Sequence, residues 1–103
     1  MAKAKYKRIF EEIWEGNKAL FQEFFMLNND YADARNRNKL EEKFQNIGGK
    51  VKNLLTDGEN ELCRAMENTN NRVYSSKVAD KYWDEIRKYF KYMDLVGVVS
   101  STD

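Results

Sequence analysis

The clearest feature of the sequence is a repeat of apolar positions near its beginning. Between Tyr6 and Leu27, aromatic and aliphatic residues recur every three to four positions, which is the spacing of one face of an α-helix. The pattern stops where the polar residues 28–30 begin, so we predict a first helix from about Ala4 to Asn28. Its apolar face has a main line and a second line beside it: Tyr6, Phe10, Ile13, Leu20, Phe24 and Leu27, and then Trp14, Phe21 and Phe25.

A second helical pattern runs from about Asn38 to Met66. Glycine interrupts it at residues 48–49 and at Gly58, and each glycine costs about 1 kcal/mol relative to alanine inside a helix. The residues from Thr56 to Glu59 also match the Ser/Thr-x-x-Glu pattern that starts a new helix. The sequence therefore leaves two interpretations open, one kinked helix or two helices broken near Thr56. The apolar positions keep helical spacing throughout: Leu40, Phe44, Ile47, Val51, Leu54, Leu55, Leu62 and Met66.

The glycine pair Gly48-Gly49 also resembles the start of a phosphate-binding loop. No strand precedes it and the spacing of such loops is missing, so we predict instead that a neighbouring helix packs closely against both glycines.

A third helix is predicted from Ser75 or Ser76, either of which can cap a first turn, to about Gly97. A polar connection, residues 68–71, precedes it. Its predicted core face consists of Val78, Ala79, Tyr82, Trp83, Ile86, Phe90 and Met93.

These segments predict an all-α fold. We expect a small antiparallel bundle of three helices, or of four if the second pattern is broken, in which the first two helices are antiparallel and the third closes the groove between them. The chain has 103 residues and no linker rich in proline, glycine or serine, which predicts a single domain over residues 1–103.

Composition excludes several kinds of function. Lysine and arginine number 18 and aspartate and glutamate 17, so bulk charge indicates neither a nucleic-acid-binding nor an acidic protein. The chain has no histidine, which removes the usual general base and most zinc sites. Cys63 is the only cysteine; it forms no intrachain disulfide and is interpreted as a packing residue. We therefore predict a cytoplasmic, non-enzymatic protein without cofactor, metal or membrane span.

The number of aromatic residues indicates what the protein does instead. Fourteen per cent of the chain is aromatic, which is more than three slim helices can easily bury, so we expect an interface with a second copy or a larger protein. Asn17 lies in line with core positions, where an asparagine can set the oligomeric state, or it lies at the edge of the face. The candidate interface consists of Trp14, Asn17, Phe21, Phe25, Tyr89 and Tyr92.

The alternative function is nucleic-acid binding through two groups of basic residues. Basic side chains neutralise phosphates, and exposed tyrosines can stack on bases. Acidic residues at positions 80, 84 and 85 are interleaved with the second group, which favours an ion-paired, solvated helix face. The candidate contacts are Lys3, Lys5, Lys7 and Arg8 at the start of the chain, and Lys81, Lys88 and Lys91 on the third helix.

Overall fold

The computed structural model describes residues 4–67 and 76–97, and all regular secondary structure within these ranges is helical. The prediction of an all-α fold is therefore confirmed. The elements are helix α1 (Lys5–Gly16), helix α2 (Lys18–Tyr31), helix α3 (Ala34–Glu67), helix α4 (Ser76–Tyr89) and a 3₁₀ turn at Met93–Leu95.

The first predicted helix is divided into α1 and α2 at Asn17. The Asn17 backbone is non-helical, with φ −139° and ψ 41°, and its side-chain Nδ2 donates a hydrogen bond to the carbonyl of Ile13, 2.9 Å away. Glycine and asparagine are both poor helix formers, and an asparagine side chain competes with the backbone for hydrogen bonds. The prediction of one helix from Ala4 to Asn28 is therefore wrong at this point, where Gly16 and Asn17 are adjacent.

Helix α3 is continuous over 34 residues and passes Thr56 without a break. Of the two interpretations left open by the sequence, the single helix is therefore correct. The helix begins at Ala34 rather than near Asn38, because the Asp33 carboxylate accepts a hydrogen bond from the backbone N–H of Arg35 at 3.0 Å and caps the first turn. At the usual rise per residue its length is about 51 Å, close to the longest dimension of the molecule, 49 Å.

Helices α1 and α2 both run antiparallel to α3. Near one end of the bundle Ile13 packs over Gly58, and near the other end the Tyr31 hydroxyl donates a hydrogen bond to Glu41 at 2.5 Å. Both α1 and α2 therefore run in the opposite direction to α3. This is the antiparallel arrangement that the sequence predicts for the first two helical patterns.

Helix α4 also runs antiparallel to α3. The buried Tyr82 hydroxyl donates to the carbonyl of Leu55 at 2.6 Å, and further on Lys52 Nζ donates to the carbonyl of Val96 at 3.0 Å. The α1–α2 pair and α4 thus lie side by side along the long α3 helix. The core between them includes these fully buried side chains: Phe21, Phe24, Phe44, Val51, Leu55, Leu62, Tyr82, Ile86 and Phe90.

The adjacent glycines Gly48 and Gly49 of α3 have different surroundings. A Cβ atom at Gly48 would lie 2.7 Å from Val96 Cγ2 and 3.0 Å from Phe24 Cε1, so only glycine fits there without movement. Gly49 has no neighbouring atom within 4 Å of the same position. The prediction of close packing is confirmed for Gly48 and wrong for Gly49.

Helix α4 ends at Tyr89 and not at Gly97, and residues 90–97 form a C-terminal hook. Hydrogen bonds from several side chains hold the hook, among them those of Gln45 and Asn28. Gln45 donates to the carbonyl of Leu95 at 2.9 Å and accepts from the N–H of Gly97 at 2.7 Å. Asn28 is buried, and its Oδ1 accepts from the N–H of Tyr92 at 2.8 Å. Gly97 has φ +86°, a conformation that favours glycine.

Candidate functional site

Helices α1, α2 and α4 and the first residue of the hook bring six aromatic rings together into one aromatic cluster. Trp14 is at its centre and stacks on Phe90, with ring centroids 5.3 Å apart and planes 11° apart. Tyr89 lies against the edge of Trp14 at 5.6 Å and beside Phe10 at 5.7 Å. The cluster consists of Phe10, Trp14, Phe21, Phe24, Tyr89 and Phe90.

The aromatic cluster extends from the core to the surface. Phe21, Phe24 and Phe90 have no exposed surface, whereas Trp14 is partly buried and Tyr89 is 42% exposed. The Trp14 indole contacts the rings of Phe10, Phe21, Tyr89 and Phe90, so its position is held by packing on several sides. Part of Trp14 still lines the surface.

The exposed part of the cluster forms the floor of a groove between α1 and α4, which we call the aromatic groove. Its volume is about 400 Å³, in the range of small-ligand and side-chain binding sites. Charged side chains stand at its rim above the rings. The lining residues are Lys7, Phe10, Glu11, Trp14, Glu15, Glu85 and Tyr89.

Two lysines outside the lining form ion pairs with the rim. Lys18 lies 3.3 Å from Glu15, and both side chains are more than half exposed. Lys88 lies 3.0 Å from Glu85, and the hydrogen bond to that carboxylate raises the pKa of Lys88. The Lys18–Glu15 pair contributes little to stability, because water competes for both charges. Water competes less for Glu85, whose side chain is only 14% exposed.

The structure separates the predicted interface residues. It brings Trp14 and Tyr89 together in the aromatic groove. Phe21 has no exposed surface, so it cannot contact a partner of the folded chain and we remove it from the candidate interface. Phe25 is 38% exposed on α2, where it neighbours Met26, which is 64% exposed.

The other two predicted interface residues have structural contacts. Asn17 is partly buried at the junction of α1 and α2, where its side chain bonds to the preceding turn. Tyr92 lies in the hook, with its ring centroid 5.6 Å from that of Tyr31. Neither residue lines the aromatic groove.

A second cluster at the other end of the bundle was missed by the sequence analysis. The Arg37 guanidinium lies 5.1 Å from the ring centroids of both Tyr31 and Tyr92, and its Nε donates to the carbonyl of Tyr31 at 2.9 Å. Burial, followed by the hydrogen bond to Glu41, raises the pKa of Tyr31. The hydrogen bonds from Tyr31 and then Gln45 lower the pKa of Glu41. These contacts fasten the hook to α2 and α3.

Several of the residues proposed for nucleic-acid binding lie near carboxylates. Lys5 and Arg8 line a depression with Glu12 and Glu61, and Lys88 is paired with Glu85. Lys7 lines the aromatic groove, while Lys81 and Lys91 are exposed. Lys3 lies outside the described residues.

The structure also bears on Cys63, on metal binding and on membrane insertion. Cys63 is partly buried on α3. Among residues 4–67 and 76–97, no three His, Cys, Asp or Glu side chains are grouped closely enough to hold a metal ion. In the same part of the chain, no helix combines the length and apolar character needed to cross a membrane.

The sequence analysis found Trp14 and Tyr89 but missed most of the groove around them. Phe10 could have been recognised from its spacing, because it lies one helical turn before Trp14. The position of Glu85 in the groove could not, since it comes from a helix distant in sequence. No protein-family model matches the chain, and no curated protein or solved structure is significantly similar to it.

Proposed function

We propose that the chain is a non-enzymatic protein-interaction module that docks on a partner protein through the aromatic groove. One observation carries the proposal: Trp14 and Tyr89 lie 5.6 Å apart in a concave site, and both are partly exposed. Tryptophan and tyrosine are enriched among the residues that supply most of the energy of protein interfaces. A site formed by these two rings is therefore suited to hold a side chain of another protein.

The buried ring against which Trp14 packs favours binding of a partner. Trp14 stacks on Phe90, which is fully buried, so its orientation is held before any partner arrives. A partner that binds a preorganised ring avoids most of the entropy cost of ordering it. Tyr89 adds apolar area at the surface, together with a hydroxyl group.

The proposed interaction takes place in an intracellular, reducing environment. Cys63 is the only cysteine of the sequence, which is typical of proteins that are not stabilised by disulfides. We therefore place the interaction in the cytoplasm as part of the proposal.

Nucleic-acid binding is the second candidate function and has less support. It requires a surface of positive potential, whereas Lys5, Arg8 and Lys88 each have a carboxylate nearby. Self-association remains a form of the leading proposal, because the exposed Phe25 and Met26 on α2 offer a second apolar surface.

Site-specific photo-crosslinking tests the proposal. A benzophenone amino acid is placed at Tyr89 in the aromatic groove, at Met26 on the outer side of α2, and at the exposed Asp57 as the control. We expect a protein adduct in native extract from position 89 and none from position 57. An adduct from position 26 alone would move the interface to α2. A nucleic-acid adduct would favour the second candidate, and an adduct of twice the chain mass would indicate self-association.

A further inference from the structure

We infer that residues 90–97 form a two-state latch: in one state they are the C-terminal hook, and in the other they continue α4 as an α-helix to about Gly97. Asn28 selects the hook, because its side chain takes a backbone N–H that would otherwise continue the helix. Neither Asn28 nor Gly97 lines the aromatic groove, so the latch is independent of the proposed function.

The hook sequence is itself compatible with a helix. Residues 90–96 contain neither glycine nor proline, and Phe90 and Met93 continue the apolar spacing of α4. Helices commonly end at a glycine or asparagine that adopts the left-handed conformation directly after the last turn. Of the residues that the structure describes, only Gly97 has a positive φ, so α4 ends at Tyr89 without that signal. Contacts from other helices therefore determine where α4 ends.

Several backbone hydrogen bonds of the hook span three residues instead of four. Met93 donates to the carbonyl of Phe90, and Val96 donates to the carbonyl of Met93, each at 3.0 Å. In an α-helix each N–H would instead donate to the carbonyl four positions before it. The N–H of Tyr92 donates to Asn28 Oδ1 on α2 at 2.8 Å. All three N–H groups would find acceptors in a longer α4, so the change from hook to helix exchanges their partners.

Contacts with α2 and α3 make the hook the major state. Asn28 is buried, and its Oδ1 would lose the Tyr92 N–H if the hook opened. Val96 is 2% exposed and fills the space above Gly48, where a Cβ atom would lie 2.7 Å from its Cγ2. Lys52 Nζ also donates to the carbonyl of Val96 at 3.0 Å. These contacts oppose the local tendency of the segment to continue the helix.

Opening of the latch changes one end of the bundle. The N–H of Phe90 already donates to the carbonyl of Ile86 at 2.9 Å, an α-helical bond, so Phe90 belongs to the helix in both states. Met93 follows Phe90 at helical spacing and stays on the same face of a longer α4. Val96 is the side chain that leaves its site, and its departure uncovers the space above Gly48.

Nuclear magnetic resonance of the full chain, labelled with carbon-13 and nitrogen-15, tests the latch. Carbon-13 chemical exchange saturation transfer measures the Cα shifts of a minor state while the hook remains the major one. Two variants weaken the hook by different routes. Asn28→Ala removes the acceptor of the Tyr92 N–H. Val96→Ala removes both methyl groups from the space above Gly48 and changes no residue of α1 to α4, so it serves even if Asn28→Ala does not fold.

We expect both variants to populate a second state in which the Cα shifts of residues 91–96 are those of an α-helix. Val96→Ala should raise its population relative to the hook about tenfold, because burial of the two methyl groups stabilises only the hook. Lys91 is exposed in the hook, and glycine is a poorer helix former than lysine. Adding Lys91→Gly to Val96→Ala should therefore lower the population of the second state about threefold.

Two results would overturn the latch. A second state with random-coil Cα shifts at residues 91–96 would show that the hook frays and does not become helical. Shifts of the hook alone in both Asn28→Ala and Val96→Ala would show that these residues have a single conformation.

Discussion

Replacement of Gly58 by alanine tests how α1 and α4 pack against α3. Gly58 is buried on α3, where α1 and α4 approach from either side. An added Cβ atom would lie 2.5 Å from Ile13 Cδ1 and 2.5 Å from Tyr82 Oη. Both distances are far below van der Waals contact, so at least one of the two side chains must move. The Tyr82 hydroxyl is also tied to the carbonyl of Leu55 at 2.6 Å, which limits its freedom to do so.

The expected change in the free energy of unfolding is the sum of one stabilising and two destabilising contributions. Alanine is a better helix former than glycine by about 1 kcal/mol, which favours the variant. Overpacking of a well-filled core costs about 1–3 kcal/mol, and disturbing the buried Tyr82 hydrogen bond costs roughly 1 kcal/mol more. We therefore expect Gly58→Ala to lower the free energy of unfolding by about 1–3 kcal/mol. For a domain of this size the melting temperature should fall by roughly 5–15 °C.

Gly49→Ala is the matched control in the same helix. A Cβ atom at Gly49 meets no atom within 4 Å, so only the gain in helix propensity remains. We expect this variant to raise the free energy of unfolding by about 0.5–1 kcal/mol. Urea unfolding followed by circular dichroism at the helical minimum measures both variants under the same conditions.

A double-mutant cycle with Tyr82→Phe identifies the source of the cost. Removing the hydroxyl removes one of the two closest neighbours of the new methyl group. Gly58→Ala should therefore be less destabilising in the Tyr82→Phe background than in the wild-type chain. If Gly58→Ala stabilises the protein as much as Gly49→Ala does, the proposed packing of α1 and α4 over Gly58 is wrong.

Three further predictions concern the C-terminal hook and its attachments. Asn28→Ala removes the acceptor of the part-buried Tyr92 N–H and should cost about 1 kcal/mol in urea unfolding; an unchanged midpoint would show that the hook is not held there. The pKa of Glu41 is lowered in the folded state, so its contribution to stability is present above the unfolded value near 4.5 and is lost as pH falls through the folded value. The pKa of Tyr31 is raised, so its contribution is lost at alkaline pH. Glu41→Gln should therefore lose less stability than the wild type on acidification, and equal losses in thermal melts would contradict this. Gln45→Ala should speed hydrogen exchange of the hook amides with little change in global stability, and a large global loss would be inconsistent with the exposure of its two hydrogen bonds to the hook.

The helical segments themselves were largely predictable, because they depend on the spacing of apolar residues along the chain. The core positions Phe44, Val51 and Leu62 follow directly from that spacing and are fully buried. The division at Asn17 was not predicted, since the apolar pattern continues across it. The local signal was present in Gly16 and Asn17, two weak helix formers in succession.

The site was only partly predictable. Phe21 and Phe25 belong to the same line of the first helical pattern, yet Phe21 is buried and Phe25 is 38% exposed. Spacing alone cannot separate them, because burial depends on which neighbouring helix covers each position. Tyr89 and Trp14 were both expected at an interface, but their contact joins residues from opposite ends of the chain.

The sequence by itself determined the fold class, the approximate helical segments and the absence of histidine chemistry. These are local or compositional properties, and each follows from residue types and their spacing. Only the tertiary structure decided which rings reach the surface, that Gly58 rather than Gly49 lies under two helices, and that Glu85 joins Glu11 beside Trp14. Such contacts depend on where α1 and α4 pack along α3, and that arrangement results from the packing of the whole core.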